Sequence, residues 1–202
     1  MSDTNREVEL KLHVAELEPV RQALHELGAE QSAPRVYERN NRYDDAKGNL
    51  SGSGDVLRLR QDTRARLTFK QGSDRKQVGD AMSRFEAETE VADFDAMDLI
   101  LKRLGFRPYM VYEKYRTTYT FDSVEIVLDE MPYGNFVEIE GDGEAIQQVR
   151  EKLGLQDAIA YQSGYTELFR RVRSRLGLSF TDLTFDNFKG IDVPESAFAE
   201  SR

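Results

Sequence analysis

Arg6-Glu7-Val8-Glu9-Leu10-Lys11-Leu12-His13-Val14 alternates ionisable and apolar residues without a break. A period of two marks a β-strand, because successive side chains leave a strand on opposite faces. One face carries Glu7, Glu9, Lys11 and His13; the other carries Val8, Leu10, Leu12 and Val14. The same alternation returns downstream. Arg58 and Arg60 oppose Leu57 and Leu59, and Lys70 shares a face with Thr68 opposite Leu67 and Phe69. Arg84, Glu86, Glu88 and Glu90 lie across from Phe85, Ala87 and Val91, with Thr89 interrupting. Lys114 pairs with Arg116 on one face, Glu138 with Glu140 opposite Val137 and Ile139, and Asp129 follows Leu128 at a strand end. A solvated sheet face normally mixes Ser, Thr, Gln and Asn into such positions. Here the face is almost all Glu, Asp, Arg and Lys, with cations gathered on some strands and carboxylates on others. If the sheet closes with this face inward, like charges crowd one cavity. Burial of that kind is tolerable only when multivalent ions and their counter-charges occupy it.

Working outward, Leu17-Glu18-Pro19 opens a helix with a stripe of Val20, Ala23, Leu24 and Leu27, stopped by Gly28. His25 falls on its surface. Strands are expected over 35–44, 56–61, 66–70, 84–91, 111–120, 124–129 and 136–141, and helices over 95–104, 142–153 and 165–176, the last capped by Gly177. Residues 45–54 read as a turn and 71–81, polar and glycine-containing, as a mobile loop. Two strand–helix–strands units result, one opening at Arg6 and one at Arg84, a repeat in element order and not in residue identity. Short strands with hairpin-length connections favour an antiparallel sheet, and about eight of them can close a barrel. The expected fold class is therefore α+β: a closed eight-stranded antiparallel β-barrel with a charged lumen and helices outside. After Gly177 the chain is acidic but holds Phe180, Phe185, Phe188 and Phe198; its beginning is expected to dock and its end, after Pro194, to fray. The division expected is 1–176 as the barrel domain and 177–202 as a C-terminal extension.

Composition narrows the chemistry. At 202 residues, 39% hydrophobic and 32% charged, with mean hydropathy −0.62, the chain suits a globular protein with one sizeable core. No apolar stretch approaches the ~18 residues of a spanning helix, and the opening residues lack the basic and apolar regions of a signal peptide. These point to the cytoplasm and away from a membrane. A net charge of −9 has the wrong sign for binding nucleic acid over the whole surface. The absence of cysteine excludes disulfides, zinc fingers, iron–sulfur clusters and thiol catalysis. With only His13 and His25, a histidine triad could form around one of these two alone.

Gathered arginines and lysines suit polyphosphate oxygens, and gathered carboxylates suit a hard divalent cation such as Mg²⁺ or Mn²⁺. No G-x-x-x-x-G-K-[ST] loop is present to cradle phosphates instead. Glu7-Val8-Glu9-Leu10-Lys11 resembles the E-x-E-x-K opening of the CYTH superfamily, the triphosphate tunnel metalloenzymes. The remaining motifs arrive in that family's order: Leu57-Arg58-Leu59-Arg60, Thr68-Phe69-Lys70, Glu86 and Glu88, Glu113-Lys114-Tyr115-Arg116, Leu128-Asp129 and Val137-Glu138-Ile139-Glu140-Gly141. Asn41-Arg42-Tyr43-Asp44 is similar to the family's tyrosine-rich strand, and the spacing of Lys114-x-Arg116, Asp129 and Glu138-x-Glu140, followed by Ser163-x-Tyr165, looks most like the bacterial class IV adenylyl cyclase branch, beside the thiamine triphosphatases. The resemblance covers roughly residues 5–176.

The resemblance implies an eight-stranded tunnel that binds triphosphate through inward basic residues. Glu7 and Glu9 become the leading metal ligands, completed by Asp129, Glu138 and Glu140, with Glu7, Glu9 and Lys11 at the catalytic centre. Lys11, Arg58, Arg60, Lys70, Lys114 and Arg116 would bind phosphate oxygens, and Glu86, Glu88 and Tyr43 would support them or a second metal. Hydrolysis of a triphosphate (inorganic tripolyphosphate, thiamine triphosphate or a nucleoside triphosphate) is the leading reaction. Cyclisation of ATP to cyclic AMP and pyrophosphate is the alternative, and a non-catalytic polyphosphate or nucleotide sensor a further one. Nothing in the sequence reads as purine recognition. The partner expected is a small-molecule triphosphate, with the chain a monomer or homodimer. His13 is expected at a solvated rim and Tyr161 and Tyr165 in helix packing. Arg170, Arg171, Arg173 and Arg175 are expected on a solvated helix face, or else gating the tunnel mouth.

Overall fold

Residues 6–74, 76–78 and 80–199 are described by a computed structural model, with Arg6, Glu7 and Val78 described by their backbone alone. In chain order the elements are β1 (Arg6–Val14), α1 (Glu18–Glu26), β2 (Glu30–Asp44), α2 (Asn49–Ser53), β3 (Val56–Gln61), β4 (Ala65–Lys70), β5 (Lys76–Val78), β6 (Ala81–Val91), α3 (Phe94–Arg103), β7 (Arg107–Phe121), β8 (Val124–Met131), β9 (Gly134–Glu140), α4 (Gly143–Lys152), β10 (Ile159–Ala160) and α5 (Tyr165–Leu176). A 3₁₀ turn, Glu195–Phe198, follows. Eight antiparallel strands form a ring in the order β1-β9-β8-β7-β2-β3-β4-β6, closed by β1–β6 pairing from Arg6↔Phe85 to Glu9↔Met82. The short strands β5 and β10 hang from β6 and β1. Closure removes the free edges that an open sheet would leave.

The repeat in element order has a spatial meaning. Exchanging β1 with β6, β2 with β7, β3 with β8 and β4 with β9 reads the same ring backwards. The β1–β6 and β2–β7 pairings are thus the two contacts where each half meets its own counterpart.

Apolar residues of the alternating strands face outward. Leu10, Leu12, Ile126, Leu128, Val137 and Ile139 pack under Val20 and Leu24 of α1 and Ile146 and Val149 of α4. Tyr43, Leu59 and Leu101 form a second cluster beneath α3. Asp93 and Asp142 cap α3 and α4, each accepting a backbone N–H of the first turn. Gly177 closes α5 in the left-handed conformation (φ 66°) that only glycine adopts without strain.

Three local expectations are corrected. The 45–54 turn contains α2, and the 71–81 loop contains β5. The third concerns the C-terminal segment, which does not fray at Pro194: Ala197 and Phe198 are fully buried. Phe198 packs on His13 (4.9 Å between ring centroids), Tyr133 (5.5 Å), Phe136 (6.0 Å) and Tyr161 (6.0 Å). Upstream, Leu183 lies beside β7: its N–H donates to Val111 and its carbonyl accepts from Glu113, both at 2.9 Å. The acidic character of this segment hides its role, since Phe180, Phe188 and Phe198 enter a core while Asp186, Asp192 and Glu195 stay exposed. Phe198→Ala is expected to cost about 3 kcal/mol by lost burial and residual cavity. Chemical denaturation reads this directly; an unchanged midpoint would show the turn to be dispensable.

Among the described residues no helix is long and apolar enough to cross a membrane.

Candidate active site

The ring encloses a cavity of about 1140 Å³. Among the described residues, twelve of those lining it are Lys or Arg and eight are Asp or Glu. A chain of net charge −9 therefore keeps a positive interior. That inversion is costly unless the interior receives an anion.

Register shows how the charges are distributed. On one wall Arg42 of β2 is the direct partner of Arg58 on β3, and Arg60 of β3 is the direct partner of Arg66 on β4. On the opposite wall Glu9 of β1 is the partner of Glu140 on β9, which is in turn the partner of Glu125 on β8. Directly opposed like charges destabilise a sheet. With eight strands in the ring, β9 stands across the lumen from β3. A cationic wall therefore faces an anionic one, and the two remaining sectors carry Lys114 and Arg116 on β7 and Glu86 and Glu88 on β6.

Between the walls the charges pair. Lys11 Nζ lies 2.9 Å from Glu138 and 3.2 Å from Glu9. Burial alone would depress the Lys11 ammonium, but these two carboxylates outweigh it and hold its pKa above the usual lysine value. Glu138 is the reciprocal case: burial favours its neutral form, yet Lys11, Arg116 and Lys114 hold it well below the usual carboxylate range. Lys70 pairs with Glu86, and Arg58 lies 3.5 Å from Glu88. Lys114 is different, since burial and neighbouring Arg116 together lower its pKa despite Asp129.

Three groups that the motifs do not single out belong to the site: Tyr112 lines the cavity, and Glu38 and Asn40 share its parity but lie buried behind the wall. Glu38 is 3% exposed and lies 3.5 Å from both Arg60 and Lys114. Burial would raise its pKa, but Lys114, Arg60, Arg116 and Arg58 pull it below the usual range. The Tyr112 hydroxyl accepts from Arg58 at 3.2 Å. These residues share a parity with Arg42 and Lys114 on strands already recognised, which is the signal that would have found them.

Two expected site residues take other places. Tyr43 points away from the lumen: it is 1% exposed in the outer cluster and its hydroxyl donates to Asp98 of α3 at 2.6 Å. Odd positions of β2 face the helices, so Tyr43 supports the packing of α3 and not the site. Asp129 does share the lumen parity but lies behind the cavity wall, fully buried. Its oxygens accept from Lys114 at 3.0 Å, from Arg116 at 2.7 and 2.5 Å and from the Tyr165 hydroxyl at 2.8 Å. In this structure it clamps two cations rather than offering an open oxygen. His13 is packed among aromatic rings instead of standing at a solvated rim, and burial lowers its pKa. Tyr165 packs on Phe136, as a helix residue should, but also reaches the lumen. Glu9, Lys11, Arg58, Arg60, Lys70, Glu86, Glu88, Lys114, Arg116, Glu138 and Glu140 all line the cavity. The Glu7 side chain lies outside the described residues; its backbone pairs with Arg84.

The donors of the acidic wall are all carboxylate oxygens, the chemistry that Mg²⁺ and Mn²⁺ accept and softer metals do not require. The Glu9–Glu140–Glu125 row sets side by side the oxygens that a hard cation takes. Among the described residues, no three Asp, Glu or His converge on one point in this conformation.

The sequence profile of the CYTH domain matches residues 5–165. No curated protein sequence matches the chain. Among solved structures, a candidate adenylate cyclase from Vibrio parahaemolyticus superposes with a TM-score of 0.66 at 20% identity, over 81% of this chain and 97% of that one. A protein from Pyrococcus horikoshii gives 0.66 at 25% identity, over 80% and 98%. A candidate adenylyl cyclase from Hippeastrum, described as having a dominant triphosphatase activity, gives 0.62 at 17% identity, over 81% and 95%. The closed ring is thus a shared fold, and since the profile runs through most of its strands, this chain belongs to the CYTH domain family.

Proposed function

We propose that the protein is a divalent-metal-dependent triphosphatase that hydrolyses a small triphosphate within its barrel. The observation that carries this reading is the register of like charges on facing walls, cation against cation across β2–β3–β4 and carboxylate against carboxylate across β1–β9–β8. A polyanion with a bound divalent cation is the ligand that relieves both rows at once. Arg58, Arg60, Lys70, Lys114 and Arg116 project from three strands and would surround a phosphate chain from several sides. Lys11 keeps its proton at working pH and would hold a phosphate oxygen beside the acidic wall. Glu7, Glu9, Glu138 and Glu140 would hold Mg²⁺ or Mn²⁺. Such an ion neutralises charge on the phosphate chain and lowers the pKa of bound water. Asp129 and Glu38 hold Lys114 and Arg116 in place, so that these cations meet the substrate without reorganising.

The deciding experiment is incubation with tripolyphosphate, thiamine triphosphate and ATP plus Mg²⁺ or Mn²⁺, with products resolved by chromatography. The expected products are orthophosphate and the matching diphosphate. Cyclic AMP and pyrophosphate would establish the cyclase reaction instead, and no turnover with tight binding would establish a sensor. Arg60→Ala tests the basic set. A charge-assisted contact is worth about 1.5–3 kcal/mol, so triphosphate affinity should fall roughly ten- to a hundredfold. A rise in KM places Arg60 on the bound substrate, whereas a fall in kcat places it on charge that develops during reaction.

A further inference from the structure

Arg42 is a cavity-lining cation outside the charge pairs of the two walls. Its Nε is buried without a hydrogen-bond partner. Nη1 donates to the Thr166 hydroxyl at 3.0 Å, and the guanidinium lies 5.8 Å from the Tyr109 ring. Burial lowers its pKa; Tyr109 and Tyr112 oppose this, while the neighbouring Arg58 and Arg84 add to it. Its register partner is Arg58.

Thr166 belongs to a helix end on the same cavity. It lies in the first turn of α5, a twelve-residue helix whose N-terminal residues Gly164, Tyr165, Thr166 and Glu167 line the same cavity. The N-cap is Gly164, which has no side-chain acceptor; its carbonyl already takes the Glu167 N–H at 2.9 Å, so the end is left to the Tyr165 and Thr166 N–H groups. Such an end carries the positive pole of the helix and binds anions when its N–H groups are open. Arg170 and Arg173 follow Thr166 at helical spacing, and both line the cavity. The one acidic residue of that turn, Glu167, lies 3.3 Å from Arg171.

We propose that Arg42, the open N-terminus of α5 and Arg170 form a further oxyanion subsite at this end of the cavity, taking the phosphoryl group next beyond the three held by the central cations. The inference rests on the triphosphate reading and extends it to linear phosphate chains of four units. The same chemistry accepts either a distal phosphoryl of the substrate or a free orthophosphate, and the test separates them.

Calorimetry at fixed salt without added metal, so that nothing turns over, compares tripolyphosphate, tetrapolyphosphate and orthophosphate. Wild type should bind tetrapolyphosphate at least tenfold more tightly than tripolyphosphate. Arg42→Met should reduce that advantage below twofold, weakening tetrapolyphosphate more than tripolyphosphate. Arg170→Gln, on the exposed side of α5, should reduce it partly, and serves if Arg42→Met fails to fold. Orthophosphate binding beside saturating tripolyphosphate, lost in Arg42→Met, would support the subsite with a free anion as its ligand. Equal affinities for the two chains with no such orthophosphate site, or equal weakening of both chains in Arg42→Met, overturns the subsite alone. Failure of wild type to bind either chain overturns the triphosphate reading and the subsite with it.

Discussion

Glu9→Gln is expected to lower metal-dependent turnover on the order of a hundredfold or more, and to leave the fold in place. A divalent ion contributes several kcal/mol to stabilising transition-state charge, and each 1.36 kcal/mol is a factor of ten in rate. Gln keeps the shape of Glu9 and an oxygen to accept from Lys11 Nζ, which sits 3.2 Å away. What it removes is negative charge from a row where Glu9, Glu140 and Glu125 stand side by side. Relief of that repulsion offsets the weakened pair with Lys11, which Glu138 still holds at 2.9 Å, so a thermal midpoint near wild type is expected and separates lost activity from unfolding. Glu7→Gln is expected to behave alike. Steady-state rates against metal concentration read both variants; near wild-type rates for both at saturating Mg²⁺ and Mn²⁺ would falsify the ligand assignment.

Asp129→Ala is expected to act on stability, by about 3–5 kcal/mol. Removing one partner of a buried ion pair strands the other without solvent, which is far costlier than never having buried the pair. Here one carboxylate serves Lys114, Arg116 and the Tyr165 hydroxyl. Lys114 would keep Glu38, at 3.5 Å, and the charge of Glu138, and its already depressed pKa would fall further. Glu138 would remain for Arg116. Denaturant unfolding measures the cost. A midpoint near wild type would mean that the cations do not depend on this clamp and that Asp129 serves the ligand instead.

The inward set was legible in the sequence because parity is local. Once a strand is recognised, Glu9, Lys11, Arg58, Arg60, Lys114, Arg116, Glu138 and Glu140 fall on one face whatever the strand's neighbours are. Tyr43 shows the limit: it stands in a familiar-looking stretch, but at an odd position of β2, and only parity counted from Arg42 puts it outside. Register is not local. Nothing near Arg42 in sequence says that it faces Arg58, and nothing near Glu125, itself exposed, says that it faces Glu140. Burial depth is equally non-local, since Asp129 has lumen parity but becomes a clamp only because α5 brings Tyr165 over it. The C-terminal segment misleads for a compositional reason: its acidic residues dominate the average, while Leu183, Phe188 and Phe198 do the docking.

The central claim is that opposed like charges are arranged for a phosphate chain and not for isolated anions. Calorimetric titration with tripolyphosphate and with orthophosphate, at fixed salt and in the presence of chelator, tests it most directly. A monophosphate engages only part of the set formed by Arg58, Arg60, Lys70, Lys114 and Arg116, so the chain should gain at least two further charge-assisted contacts. At about 1.5–3 kcal/mol each, that predicts tripolyphosphate binding at least a hundredfold tighter. Equal affinities for the two anions would contradict the account and leave the barrel without a triphosphate site.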